Sequence, residues 1–295
     1  MDFQGEALNN FGVGDIGLQI GTTLNKRYQI TDYVSLGNMT IMYRGCDSET
    51  KETVLIKELA PFAMVNRDLD GRSIVPKNKL CEENLKRLEN SFDNEINILI
   101  KMSDVKYGLV GSVPEYKNHF IENGTMYLVM KCYEGKDLQK RIADREELGF
   151  RSIARNVIQI VDKVHKAGII HRDIKLSNIF IKDTGEVVLL DFGSATEIAE
   201  EQRAVRYVSK GFSPPELYDE NATTRWVDFF TLGAVFYQML TGVRPIRYDD
   251  QNRMYIEDIG EYVNLPWQLA WMIMKLLEAD SAKRLKNMWV IKMLL

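Results

Sequence analysis

Cysteine is scarce in this chain. Three residues of 295, Cys46, Cys81 and Cys132, stand far apart and are odd in number. They make neither a zinc-ligand spacing nor a disulfide framework, so a reducing, cytoplasmic setting is expected. A surplus of one charge is missing as well: 38 Lys and Arg face 42 Asp and Glu, a net −4. Such a balance excludes a general attraction for nucleic acid or for a membrane surface. No apolar run approaches the ~20 residues of a bilayer-spanning helix. Met1 is followed by polar, Gly-rich sequence rather than a basic start and an apolar stretch, so no signal peptide is expected. Internal repeats and low-complexity segments are lacking too. What is present is 45% hydrophobic and 27% charged residues, enough for a large core and for two lobes more readily than one.

One stretch organises the rest. His171-Arg172-Asp173-Ile174-Lys175-Leu176-Ser177-Asn178 is a dense polar segment, followed by Ile179-Phe180-Ile181. Asp183-Thr184-Gly185 then marks a turn, and Val187-Val188-Leu189-Leu190 runs into Asp191-Phe192-Gly193. Two short β-rich runs around a turn signal a hairpin. Ahead of them, Ile153, Val157, Ile160, Val161 and Val164 fall at helical spacing, and Gly168 is placed to end that helix.

This order resembles the catalytic loop of protein kinases followed by their metal-binding Asp-Phe-Gly. The resemblance extends from about Tyr28 to Leu294, and its variants are similar to bacterial serine/threonine kinases. It implies an α+β, bilobal fold: a leader at 1–27, a β-rich N-lobe at 28–130 with one main helix, a hinge at 131–135, and a mostly helical C-lobe at 136–295. ATP and Mg²⁺ would lie in the cleft. Phosphoryl transfer needs an oriented nucleophile, metal ions on the phosphates, and positive charge where negative charge builds. Asp173 would orient the substrate hydroxyl, Lys175 would bring an ammonium to the transferred phosphate, and Asn178 and Asp191 would hold Mg²⁺.

The N-terminal third carries the partners. Tyr28-Gln29-Ile30, Val34, Ile41-Met42-Tyr43 and Thr53-Val54-Leu55-Ile56-Lys57 read as strands. Where the family has three loop glycines, Val34 to Tyr43 keeps only Gly37, which predicts a stiffer loop over the phosphates. Lys57 matches the strand lysine that reaches the α- and β-phosphates. Leu55 stands where the family has Ala and would crowd the adenine. Glu95 lies beside the stripe of Phe92, Ile96 and Leu99, turned inward to meet Lys57. The resemblance assigns Met130 as gatekeeper, Lys131 and Tyr133 as hinge contacts, and Met42 and Phe180 to the nucleotide pocket. Between Lys57 and Glu95, residues 58–76 look like an insert punctuated by turns at Pro61, Gly71 and Pro76.

Later motifs fit the same family. Gly211-Phe212-Ser213-Pro214-Pro215-Glu216 closes an activation segment that opens at Gly193, and Asp280 to Arg284 supplies a predicted partner for Glu216. Asp228 is expected to bond the catalytic loop from below, and His171 and His165 to be structural; His119 has no visible partner. Arg172 would capture an anion in the segment: a phosphate on Thr196, Tyr207 or Ser209, or else Glu197, Glu200 or Glu201. The expected partners are ATP and a protein substrate, with self-association for autophosphorylation, no nucleic acid and no membrane span. A second reading stays open: a pseudokinase or scaffold, favoured by the depleted glycine loop, by Leu55, and by Leu176 where the family has Pro.

Overall fold

A computed structural model of the chain describes residues 16–200, 211–219, 224–251 and 253–295. The chain divides into two units. Of the described residues, one unit comprises those up to Asn97 together with Glu115–Tyr133; the other comprises those in Ile98–Pro114 and Glu134–Leu295.

In the first unit the strands are β1 (Thr23–Leu24), β2 (Tyr28–Leu36), β3 (Thr40–Asp47), β4 (Thr53–Leu59), β5 (Val65–Arg67), β6 (Ile74–Pro76), β7 (Tyr116–Glu122) and β8 (Thr125–Lys131). Six of them form one antiparallel sheet in the order β1-β2-β3-β4-β8-β7. In β3 burial alternates, with Ile41, Tyr43, Gly45 and Asp47 inside, as the two-residue period of a strand requires. The register sets Met42 opposite Lys57, and Lys57 opposite Leu128. Helix α1 (Lys79–Met102) starts at Asn78, whose side chain accepts the Cys81 amide at 2.9 Å. Its buried stripe includes Leu85, Phe92, Ile96 and Leu99, with Glu95 among them.

Where it is described, the leader packs: Leu18 and Leu24 are fully buried, and β1 pairs with β2. One expectation changes here. The insert is not only turns, because β5 and β6 pair as an antiparallel hairpin.

The second unit holds β9 (Gly135–Asp137), α2 (Leu138–Ala143), α3 (Phe150–Lys166), β10 (Ile169–Ile170), β11 (Ile179–Lys182), β12 (Val187–Leu189), β13 (Thr196–Glu197), α4 (Val227–Thr241), β14 (Ile246–Tyr248), β15 (Met254–Ile256), α5 (Trp267–Leu276) and α6 (Met288–Leu294). Strands β12, β11 and β9 form a small sheet, and β10 pairs with β13. Every residue of α4 from Val227 to Tyr237 is buried, which makes it the unit's central helix. Gly233 lets α5 approach it: an added Cβ would lie 2.8 Å from the Leu276 Cβ. Residues 98–114, assigned to the N-lobe by sequence, belong with this unit. Lys163 Nζ donates to the Gly108 carbonyl (2.7 Å), and the Leu189 amide donates to that of Ser112 (2.9 Å).

Candidate active site

The catalytic loop is set from beneath. Helix α3 ends before Gly168, whose φ of +78° turns the chain into β10 and on to His171. Asp228, in the first turn of α4, accepts the His171 amide at 2.8 Å and the Arg172 amide at 2.7 Å. It also contacts His165 Nε2 at 2.8 Å. Burial alone would push this carboxyl up; the bond from His165, and then the His171 amide, outweigh it and hold Asp228 below the usual carboxylate range. Both histidines are therefore supports, as expected. His171 Nε2 meets the Leu190 carbonyl (2.9 Å) while its Nδ1 accepts the Asp173 amide (3.3 Å). That pattern needs the proton on Nε2. The imidazole also packs edge-on against Phe192, 4.7 Å between centroids.

On this base three polar side chains converge. Lys175 Nζ donates to Asp173 Oδ2 at 2.7 Å. Asn178 Nδ2 donates to the Asp173 carbonyl (2.9 Å) and to the same Oδ2 (3.2 Å). The β11–β12 hairpin then brings Asp191 back: the Leu190 amide donates to the Asn178 carbonyl at 2.7 Å. Arg172 and Asp191 hold φ of 65° and 60°, a region non-glycine residues rarely occupy and one that clusters at functional sites. Arg172 Nε is bonded to the Ser194 carbonyl (2.7 Å).

The oxygen donors fit Mg²⁺. Asn178 commits its amide nitrogen to Asp173, which turns its carbonyl oxygen the other way, and Asp191 follows the residue bonded to Asn178. One Asn and one Asp suit a hard cation that keeps waters and nucleotide oxygens. Among the described residues no three His, Cys, Asp or Glu side chains gather as a metal cluster.

In the first unit Lys57 Nζ meets both oxygens of Glu95, at 2.7 and 2.9 Å, with both residues buried. Cross-strand register places Met42 opposite Lys57, and Leu55 opposite Met130. Alternation then sets these four on one face of the sheet. Gly37 lies at the β2–β3 turn, its amide donating to the Thr40 carbonyl (2.9 Å). Lys131 and Tyr133 meet at Glu115, which accepts the Tyr133 hydroxyl at 2.6 Å. Phe180 is in the second unit, on β11 between Val188 and Asp137.

Elsewhere the structure corrects details. His119 has a partner, the Tyr116 hydroxyl, 2.8 Å from Nδ1. Thr196 is buried and paired with Ile170, so its hydroxyl is inaccessible for phosphorylation as placed. Glu197 meets Lys101 at 2.7 Å, which gives that carboxylate a partner other than Arg172. Glu201, Tyr207 and Ser209 lie outside the described residues. The Arg284–Glu216 pair is present and buried, with Arg284 Nη2 at 3.1 Å from Oε2.

Sequence reasoning missed Glu58. Its carboxylate is fully buried beside Lys57 and accepts bonds from Arg67, Tyr43 and Tyr127. The signal was available: Val54 and Ile56 put the alternate face of β4 inside, and Glu58 is next on that face.

Residues 28–293 match the protein kinase domain, and the chain belongs to that family. It is 28% identical over 279 residues to a probable serine/threonine-protein kinase of Clostridium perfringens, covering 90% of this chain and 37% of that protein. It is also 28% identical over 233 residues to the serine/threonine-protein kinase PknL of Mycobacterium tuberculosis, covering 77% of this chain and 52% of PknL. The chain thus spans between about a third and a half of these relatives. The solved structure of PpkA-294 in its apo form shares the fold: TM-score 0.77 at 24% identity, covering 94% of this chain and 98% of the other. No helix among the described residues is long and apolar enough to cross a membrane.

Proposed function

We propose that this chain is the catalytic domain of a bacterial-type serine/threonine kinase, transferring the γ-phosphoryl group of ATP to hydroxyls of protein substrates. The observation that carries the reading is the shared Asp173 oxygen, contacted by Lys175 at 2.7 Å and by Asn178 at 3.2 Å. Asp173 accepts the hydroxyl proton and aims the oxygen at phosphorus. Lys175, beside it, offsets the negative charge that builds on the transferred group. Lys57, held by Glu95, grips the α- and β-phosphates, and the face of Met42, Leu55 and Met130 takes the adenine. Main-chain groups near Lys131 and Tyr133 bond the adenine edge, and the Gly37 turn covers the phosphates. Asn178 and Asp191 would hold Mg²⁺, which would supply positive charge against that of the phosphates.

The buried Arg284–Glu216 pair supports a protein rather than a small-molecule substrate, since it steadies the segment that presents a polypeptide in this family. Among the described residues no two cysteines are bridged, which suits work in the cytosol, and self-association would serve phosphorylation of one copy by another.

Radiolabel transfer from ATP to a generic protein substrate and to the chain itself tests the reading. Wild type is expected to transfer label, and Asp173→Asn to lose at least about a hundredfold of that rate while still binding Mg·ATP. Equal, background labelling by both would return the scaffold reading to first place.

A further inference from the structure

Among the described residues of the first unit, Glu58 is the one carboxylate that is both fully buried and adjacent to a proposed active-site residue, and phosphotransfer chemistry gives it no task. Its partners are unusually complete. Arg67 Nη1 and Nη2 meet its two oxygens at 2.8 and 2.9 Å, a fork-to-fork pair. The Tyr43 hydroxyl donates to Oε2 at 2.5 Å and the Tyr127 hydroxyl to Oε1 at 2.8 Å. Burial first, and the Glu58 charge second, push both tyrosine hydroxyls upward, so they remain donors at any ordinary pH.

The sheet register gives this cluster its meaning. Tyr43, Glu58 and Tyr127 lie on three neighbouring strands, β3, β4 and β8. Each is the chain neighbour of a member of the cross-strand row Met42, Lys57 and Leu128. Successive residues of a strand point to opposite faces. The cluster is therefore directly behind Lys57, on the other side of the same sheet. A one-residue slip of β4 would move every side chain to the opposite face and turn Lys57 away from Glu95. A buried carboxylate with four matched donors tolerates only one register, because any other leaves a buried charge unpaired.

The cluster also reaches beyond the sheet. Arg67, from the β5–β6 hairpin, donates to the Ile16 carbonyl (3.0 and 2.6 Å) and to the Arg72 carbonyl (2.7 Å). Tyr43 Oη accepts the Leu18 amide (3.1 Å), and the Tyr33 hydroxyl donates to the Leu18 carbonyl (2.7 Å). The insert, which sequence alone assigns no role, meets Glu58 through Arg67, and Ile16 and Leu18 of the leader bond to its partners Arg67 and Tyr43.

We infer that Glu58, with Arg67, Tyr43 and Tyr127, is a positioning cluster for Lys57, and that the leader and the β5–β6 hairpin serve nucleotide binding by closing it. The inference rests on the phosphotransfer reading for its kinetic consequence, but not for its local one.

The test compares Glu58→Gln and the milder Tyr127→Phe with Asp47→Asn, a control in the same sheet. Asp47→Asn removes the charge and one of the two acceptors of the Arg27–Asp47 bonds (2.8 and 2.7 Å) without touching the cluster. Amide hydrogen exchange is read on β3, β4 and β8 of the nucleotide-free protein, and Mg·ATP affinity by titration calorimetry. Both cluster variants are expected to speed exchange at β4 amides. They should also weaken Mg·ATP about tenfold, or 1.4 kcal/mol, and raise KM for ATP more than they lower kcat. Asp47→Asn should lose thermal stability with unchanged nucleotide affinity. Should Glu58→Gln fail to fold, Tyr127→Phe carries the comparison. Cluster variants that melt earlier yet keep wild-type β4 exchange and Mg·ATP affinity would overturn the inference. A wild type that neither binds Mg·ATP nor transfers phosphate, while the cluster variants still loosen β4, would instead sink the phosphotransfer reading and leave the positioning geometry standing.

Discussion

Lys57 and Glu95 show how one side chain can be asked for two things. Each is nearly fully buried, and the ammonium sits 2.7 and 2.9 Å from the two carboxylate oxygens. A buried pair of this kind adds little net stability, because desolvation offsets most of its attraction. Taking away one partner is different, since it strands a charge inside. Glu95→Ala is expected to lower unfolding free energy by roughly 3–5 kcal/mol and to abolish tight Mg·ATP binding. Replacing both residues together, Lys57→Met with Glu95→Leu, should recover much of that stability and none of the binding. Denaturant melts beside nucleotide titrations separate the two effects. If the double variant bound Mg·ATP as wild type does, Lys57 would have no part in holding phosphates.

At the scale of elements, close approach of backbones decides more than side-chain chemistry. Gly135, in β9, has φ of +147°, and a Cβ there would lie 2.3 Å from the Ile181 carbonyl oxygen and 2.8 Å from the Lys182 Cα on β11. Neither backbone atom can swing aside as a side chain could. Gly135→Ala is expected to cost about 1–3 kcal/mol or more, read as a lower denaturation midpoint, with the β9–β11 amides exchanging fastest. A midpoint equal to wild type would mean that β9 can leave the sheet without cost. Much of the element pattern was legible beforehand. Alternating apolar residues announced β3 and β4, the Asp183-Thr184-Gly185 turn announced the β11–β12 hairpin, and helical spacing in 153–164 announced α3. What escaped was whatever depends on a distant partner. The three-residue strands β5 and β6 are too short for periodicity to register, and Arg67, the last residue of β5, is defined by Glu58 on the sheet and Ile16 in the leader. Residues 98–114 group with the second unit for the same reason, since their anchors on α3 and β12 come tens of residues later. The polar set of the catalytic loop was readable because Asp173, Lys175, Asn178 and Asp191 occupy one short stretch whose spacing is itself the signal.

For the molecule as a whole, the distribution of perturbed carboxyls sets its response to acid. In the first unit Asp47 is held well below the usual carboxylate range by the side-chain bond from Arg27. In the second, burial would raise Asp162 but the bonds from Lys292 and Lys166 lower it. Asp228 is lowered against a still stronger burial effect by His165 and by its place under the catalytic loop. A carboxyl whose folded value lies below its unfolded value of about 3.9 contributes stability that is complete above that pH. The contribution is lost as pH falls toward the folded value, because the unfolded chain then binds protons that the folded chain refuses. All three groups act in this direction and in both units, so stability is expected to be flat above about pH 5 and to decline steeply below about pH 4. Asp228→Asn removes one of the three from that balance while keeping the size of the side chain. It should start from a lower stability at neutral pH, since Asp228 uses one oxygen for the His171 amide and the other for the Arg172 amide, and Asn keeps only one acceptor and sets an NH2 donor against the other amide. Its acid limb should then be shallower than that of wild type, because one fewer proton separates the folded and unfolded states. Urea midpoints between about pH 3 and about pH 7 measure both quantities. Parallel acid limbs in the two proteins would show that Asp228 does not titrate with unfolding, and its role beneath the loop would then be one of shape rather than charge.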